Sequence, residues 1–361
     1  MKHVLVSDCE GPISKNDNAF EIASNFLPDG DKLFTLISKY DDVLAGVLEK
    51  ADYSAGSTLK LILPFLKAYE VTDAKMDKFC TENLVVIANS EETLQHVKTI
   101  AKTFIVSTSY EHYIRALCQT LAFPYEKTYC TKLTLDKYFI NKKERMKLKE
   151  IATEIIHMNM IEIPPRAEKI EDFLRADQKT IGRLNTIFWS QIARMDSGRI
   201  FSDVITVGGR QKAESIKDMV EKEHVSLENF LYVGDSITDV EAFQLVRKNG
   251  GLTVSFNGNH YAVGNAEIAI LSEDNLVTAI IVDVFCRHGK KAVLNLIQNW
   301  NLQTLERSGV TNLSLLDHFF SLYPERLPKV QIVTTENMML LAKESSEFRK
   351  RVRGDAIGRL G

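Results

Sequence analysis

The apolar run Val4-Leu5-Val6-Ser7 ends in Asp8-Cys9-Glu10 and is followed at once by Gly11-Pro12. Such a run is too short for a helix and reads as a buried strand. Gly11-Pro12 stops it. Two carboxylates one residue apart therefore stand at the carboxyl end of a strand, where open α/β sheets place their ligands. An acid pair there can supply a nucleophile, a proton donor and part of a magnesium site in one turn.

Further strands follow. Phe104-Ile105-Val106 reads as a second, ending in Ser107-Thr108-Ser109, with a helix from Glu111. Phe230-Leu231-Tyr232-Val233 is a third core strand, ending in Gly234-Asp235. Leu252 to Phe256 is a fourth, closed by Asn257-Gly258, and Ile268 to Leu271 a fifth. Strand character is also expected over 129–140 and 200–207. Helical spacing dominates 18–101, 142–198 (broken at Pro164-Pro165), 213–223 and the chain after 275. Strands separated by helices predict a doubly wound, parallel α/β sheet. The helical content exceeds what that sheet needs, so helical modules are expected beside it. The expected core is 1–13, 102–141 and 199–285; the expected modules are a cap at 14–101, an insertion at 142–198 and a C-terminal extension at 286–361.

The chain has 361 residues, 45% hydrophobic and 26% charged, with a formal net charge of −3. This is the composition of a soluble globular protein, and it gives no reason to expect nucleic acid as a partner. The basic stretches Lys142-Lys143-Glu144-Arg145 and Arg349-Lys350-Arg351 read as solvated helix faces. The five cysteines show no CxxC spacing, which argues against zinc and a disulfide framework. Cys9 reads as packing. No segment resembles a signal peptide or a membrane span, so a cytoplasmic protein without a membrane partner is expected.

Polar groups then line up in strand order: Asp8 and Glu10, Ser107 with Thr108 as its alternate, Lys212 at a helix start, and Asp235 with Asp239 in Gly234-Asp235-Ser236-Ile237-Thr238-Asp239. In this order and context the chain resembles the haloacid dehalogenase (HAD) superfamily, most of all its phosphoserine-phosphatase branch. The matching motifs are Asp8-Cys9-Glu10-Gly11, Val106-Ser107-Thr108-Ser109-Tyr110, Lys212 and Gly234-Asp235-x-x-x-Asp239. Three departures stand out. Glu10 replaces the usual second Asp, Pro12 replaces a Thr or Val, and Thr108-Ser109 replaces a Gly pair that lets phosphate approach the backbone. The extensions also resemble those of an archaeal HAD group that includes a hydrogenase-associated subunit.

The resemblance implies a HAD-like core with a helical cap and a Mg²⁺-dependent phosphatase acting on a small phosphorylated metabolite. Asp8 would form an aspartyl phosphate, Glu10 would act as general acid and base, and Ser107 would donate to a phosphoryl oxygen. Lys212 would neutralise developing charge, and Asp239 would orient Lys212 or a metal-bound water. The metal set would be Asp8, Glu10 (through its carbonyl), Asp235 and Asp239. Thr108, Ser109, Asp17 and Lys60 would bind substrate. Alternatives are a catalytically weak HAD-like subunit in a protein complex and a phosphotransferase using the same intermediate. The apolar faces of the extensions, around Phe188-Trp189 and Leu315 to Leu322, are expected to dock on the core, the cap, a second copy or a partner protein.

Overall fold

β1 (Val4–Ser7) is buried along its whole length, as an apolar run flanked by strands on both sides and helices on both faces must be. It pairs in parallel with β2 (Lys102–Tyr110) and β4 (Phe230–Gly234). β3 (Thr128–Thr131), β5 (Leu252–Phe256) and β6 (Ile268–Leu271) extend the parallel ladder. β7 (Lys329–Ile332) adds an antiparallel edge on β6. The computed structural model describes residues 1–50, 53–308, 310 and 312–358. Its sheet runs β3-β2-β1-β4-β5-β6-β7. The strand order reverses beside β1, so the crevice outside the carboxyl ends of β1 and β4 is the expected ligand site.

Three sequence expectations fail locally. Residues 200–207 hold no strand; helix Ile200–Asp203 opens the segment. Buried Ile200 and Val204 would share a face in a strand or a helix, but Ser202 between them is exposed, as a helix allows and an alternating strand does not. The strand expected over 129–140 ends at Thr131. Beyond it the Asp73 carboxylate accepts from the Leu135 and Asp136 N–H groups at 2.8 and 3.0 Å, closing a short 3-10 turn at Leu135–Lys137. β7 lies in a tail expected to be helical.

The segment expected as a cap forms helices Asn18–Phe26, Gly30–Asp42, Thr58–Ala68 and Asp73–Asn83. Ser90–Ile100, the last helix of the expected cap segment, instead packs on the core helix Leu276–Gln298, where His96 meets Asp283 at 3.0 Å. The expected insertion packs on these helices. Lys142–Ile156 packs on two cap helices. Phe188 stacks on Tyr40 with ring centroids 5.8 Å apart, and the Trp189 Nε1–H donates to the Tyr40 hydroxyl at 2.9 Å. The tail docks as well: helix Met338–Arg353 lies against helix His260–Asn265 and β6. No described helix is long and apolar enough to cross a membrane.

Candidate active site

Asp8 directly follows β1, and its N–H continues the ladder to the Val233 carbonyl at 2.8 Å. Parallel pairing thereby places Asp8 beside the end of β4, where Asp235 follows. Lys212 enters from helix Gly209–Glu223, on the same face as buried Ile216 and Met219. It is fully buried, and its Nζ donates to Asp8 Oδ2 at 2.6 Å and to Asp239 Oδ1 at 2.8 Å.

The Asp239 carboxylate is fully engaged. Oδ1 also accepts from the Tyr232 hydroxyl at 2.7 Å, and Oδ2 accepts from the Asp235 and Ser236 N–H groups at 2.9 and 3.0 Å. These bonds, with that from Lys212, occupy all its lone-pair sites. Burial, the largest single influence, raises its pKa, but the charge and hydrogen bond of Lys212 together with the bonds from Tyr232 and the Asp235 N–H make the net shift downward. Asp8 goes the other way. Burial first, then the charges of Asp239 and Asp235, overcome Lys212 and push it up to about 8. For Lys212, burial opposes the charge, yet Asp239 and Asp8 carry its pKa upward. One ammonium cannot neutralise two buried carboxylates, and Asp239 alone of the two also accepts from Tyr232, Asp235 and Ser236.

Ligand atoms of Asp8, Asp235 and Asp239 all lie within 4.8 Å of one another. Gly11 makes this approach possible. Its φ is +101°, and a Cβ there would collide with Asp235 Oδ2, so any side chain would meet both backbone strain and a carboxylate. Glu10 turns toward the cap: Oε1 accepts from the Asn18 N–H at 2.7 Å. Burial, followed by the charge on Asp17, raises its pKa well above the usual carboxylate range despite that bond. Asp17 caps helix Asn18–Phe26, accepting from the Phe20 N–H at 3.1 Å.

These groups face one cleft of about 100 Å³, lined by Asp8, Glu10, Asp17, Thr108, Asp235 and cap residues such as Asp41. The other expected residues divide. Thr108 faces the cleft, and its buried Oγ1 has no hydrogen-bond partner among the described residues. Ser107 and Ser109 bond to each other, Oγ to Oγ at 3.1 Å, and Ser107 Oγ accepts from the Ser109 N–H at 3.2 Å; neither lines the cleft. Lys60 is also outside its lining, with Nζ 6.0 Å from the Tyr53 ring centroid. Cys9 is buried in the core.

The sequence reading missed Arg349 and Arg353. Both line the cleft and both reach Asp235 Oδ2, Arg353 at 3.0 Å and Arg349 closer still. The Arg349-Lys350-Arg351 stretch is therefore not a solvated face throughout: the Arg349 side chain is 4% exposed and that of Arg351 64%. The signal was present as a helical stripe of Leu341, Ala342, Ser345, Arg349 and Arg353, all buried. Charge at two of its positions concealed it.

The family described as haloacid dehalogenase-like hydrolase matches residues 56–280. The chain belongs to this HAD-like family. The structure of gene product AF1437 from Archaeoglobus fulgidus is similar at a TM-score of 0.81 and 22% identity, over 100% of this chain and 99% of that one. That likeness shows a shared fold, the helical insertion and the tail included. A phosphoserine phosphatase in apo form aligns at a TM-score of 0.46 and 14% identity, over 76% of this chain and 96% of its own. A substrate-bound phosphoserine phosphatase complex aligns at 0.45 and 15%, over 76% and 95%. No curated protein matches. Asp8, Lys212, Asp235 and Asp239 meet at one place beyond the ends of β1 and β4.

Proposed function

We propose that this HAD-like hydrolase is a Mg²⁺-dependent phosphatase of small phosphomonoesters, working through an aspartyl phosphate on Asp8. The observation that carries this reading is the buried Asp8 carboxylate, set at a strand end 2.6 Å from Lys212 and beside Asp235. The donors fit a hard cation. They are carboxylate oxygens, they converge, and the charge on Asp8 is left partly unbalanced by Lys212. Asp8, Asp235 and the Glu10 carbonyl would hold Mg²⁺, which supplies positive charge against the phosphoryl oxygens. Asp239, its lone pairs already engaged, serves instead to fix Lys212 and the Asp235 turn.

The remaining chemistry belongs to side chains. An Asp8 oxygen attacks phosphorus as the bond from phosphorus to the ester oxygen breaks. Glu10, kept protonated by burial, gives its proton to the departing alkoxide. Glu10 then accepts a proton from the water that attacks the aspartyl phosphate. That attack releases inorganic phosphate and restores Asp8. Lys212 neutralises charge growing on the phosphoryl group. Thr108, a lining residue whose Oγ1 has no hydrogen-bond partner among the described residues, offers the better hydroxyl to donate to it; Ser107 is engaged with Ser109.

The test is phosphate release from an aryl phosphate and a panel of small phosphate esters by the full chain. Turnover is expected with Mg²⁺ and should vanish with chelator. A protein inert across the panel overturns the reading, and faster product formation with added alcohols would redirect it to phosphotransfer.

The cation affinity should depend on pH. With its pKa near 8, Asp8 carries a proton at lower pH that a cation must displace. Affinity should therefore rise about tenfold per pH unit between pH 6 and 8 and then level off. Calorimetric titration with Mg²⁺ across that range reads this directly; a flat profile would overturn cation binding by an Asp8 whose pKa is raised.

A further inference from the structure

We propose that the C-terminal helix Met338–Arg353 is a latch on the catalytic centre: Arg349 and Arg353 hold the Asp235 oxygen that faces the catalytic turn, and a divalent cation binds there by releasing them. This rests on the cation site proposed above.

Asp235 Oδ2 is the oxygen that a Cβ on Gly11 would strike, so it points at the Asp8–Gly11 turn. Both guanidinium groups converge on that atom. Arg349 Nη1 also lies 3.4 Å from the Asp235 carbonyl. Both side chains are buried, at 4% and 3% exposure. A divalent cation on this oxygen would sit against two like charges shielded from water, where repulsion is strong. Cation and guanidinium groups therefore compete for it. The cleft of about 100 Å³ is small beside the several hundred typical of ligand pockets, and the two arginines form part of its wall.

The latch also reaches the cap. Arg353 Nε donates to the Lys15 carbonyl at 2.9 Å, and its Nη2 donates to the Asn16 carbonyl. Lys15 and Asn16 connect the catalytic turn to the first cap helix. The returning strand of chain pairs with them: the Lys15 N–H donates to the Val85 carbonyl, and the Val85 N–H to Asn16 Oδ1, both at 2.8 Å. One side chain thus ties Asp235 to the hinge of the cap. The helix itself is pinned to the loop after β5, where Ser345 Oγ donates to the Gly258 carbonyl at 2.6 Å. Loading the site would loosen the end of the helix and the hinge together, a population shift driven by differential binding.

The experiment measures Mn²⁺ binding by electron paramagnetic resonance, and hydrogen exchange with and without Mg²⁺, on the full chain. It compares wild type with R349Q and R349Q/R353Q. The double variant should bind Mn²⁺ about tenfold or more tightly than wild type. In wild type, Mg²⁺ should speed exchange over 345–353 and 13–17. In the double variant those segments should exchange fast from the start and ignore the cation. Exchange over 345–353 that is unchanged or slowed in Mg²⁺-saturated wild type overturns the latch, and this measurement needs no variant to fold. Equal or weaker Mn²⁺ binding by the variants also overturns it, while leaving the phosphatase reading intact. Absence of binding by all three proteins overturns both.

Discussion

Replacing Asp8 by Asn is expected to cut Mg²⁺-dependent phosphate release by at least about 10³-fold, because an amide cannot serve as the nucleophile that splits the reaction into two steps. The protein should stay folded. Asp8 is buried and shares its ammonium with Asp239. Burial already drives Asp8 toward its neutral form, and where it is ionised the amide relieves a costly buried charge, while Lys212 keeps its second partner. The melting temperature of metal-free D8N should therefore equal or exceed that of wild type. Rapid acid quench of wild type with labelled substrate should trap a covalent phosphoryl-protein that D8N lacks. A D8N protein that is well folded and retains more than about a tenth of the activity would remove Asp8 from the proposed role.

The second large effect is expected at Lys212. Its ammonium is buried without exposure between Asp8 and Asp239. Lys212→Met keeps most of the side-chain volume and removes the charge. Asp239 and Asp8 then face each other without compensation, and breaking a buried ion pair from one side typically costs about 3–5 kcal/mol. Activity should be lost as well, since no ammonium remains to neutralise the transferring phosphoryl group. Denaturant unfolding of the metal-free proteins measures the first effect. A midpoint unchanged from wild type would mean that this ion pair does not hold the site together. Added Mg²⁺ should recover part of the stability, because a cation binding only the folded state shifts the equilibrium toward it. Contrast with D8N is informative: both variants lose turnover, but only K212M should lose stability.

Asp8, Glu10, Asp235 and Asp239 were legible because each belongs to a short local pattern. A buried β-strand must end, and a polar residue at that end has one place to go. Lys212 was legible only through its place at a helix start and its order among the motifs; its burial on the face of Ile216 and Met219 came from the structure. The second motif was harder. Ser107 and Thr108 are adjacent, so the pleat sends them to opposite sides. The structure turns Thr108 to the cleft and lets Ser107 bond to Ser109. Tyr232, which donates to Asp239, looked like one more core aromatic. The strand expected at 200–207 failed because helical and alternating apolar spacings overlap in so short a segment.

The sequence by itself determined the local chemistry: which strands end in acids, which lysine opens a helix beside them, and in what order they come. These depend on backbone periodicity and side-chain type over a few residues. Only the tertiary structure decided that the insertion fuses to the cap through Tyr40, Phe188 and Trp189. It alone brought the far end of the chain back onto Asp235. A guanidinium group reads as solvated from its own neighbours. Burying it is favourable only when a carboxylate more than a hundred residues away in the chain waits at the right place, and no local pattern encodes that meeting.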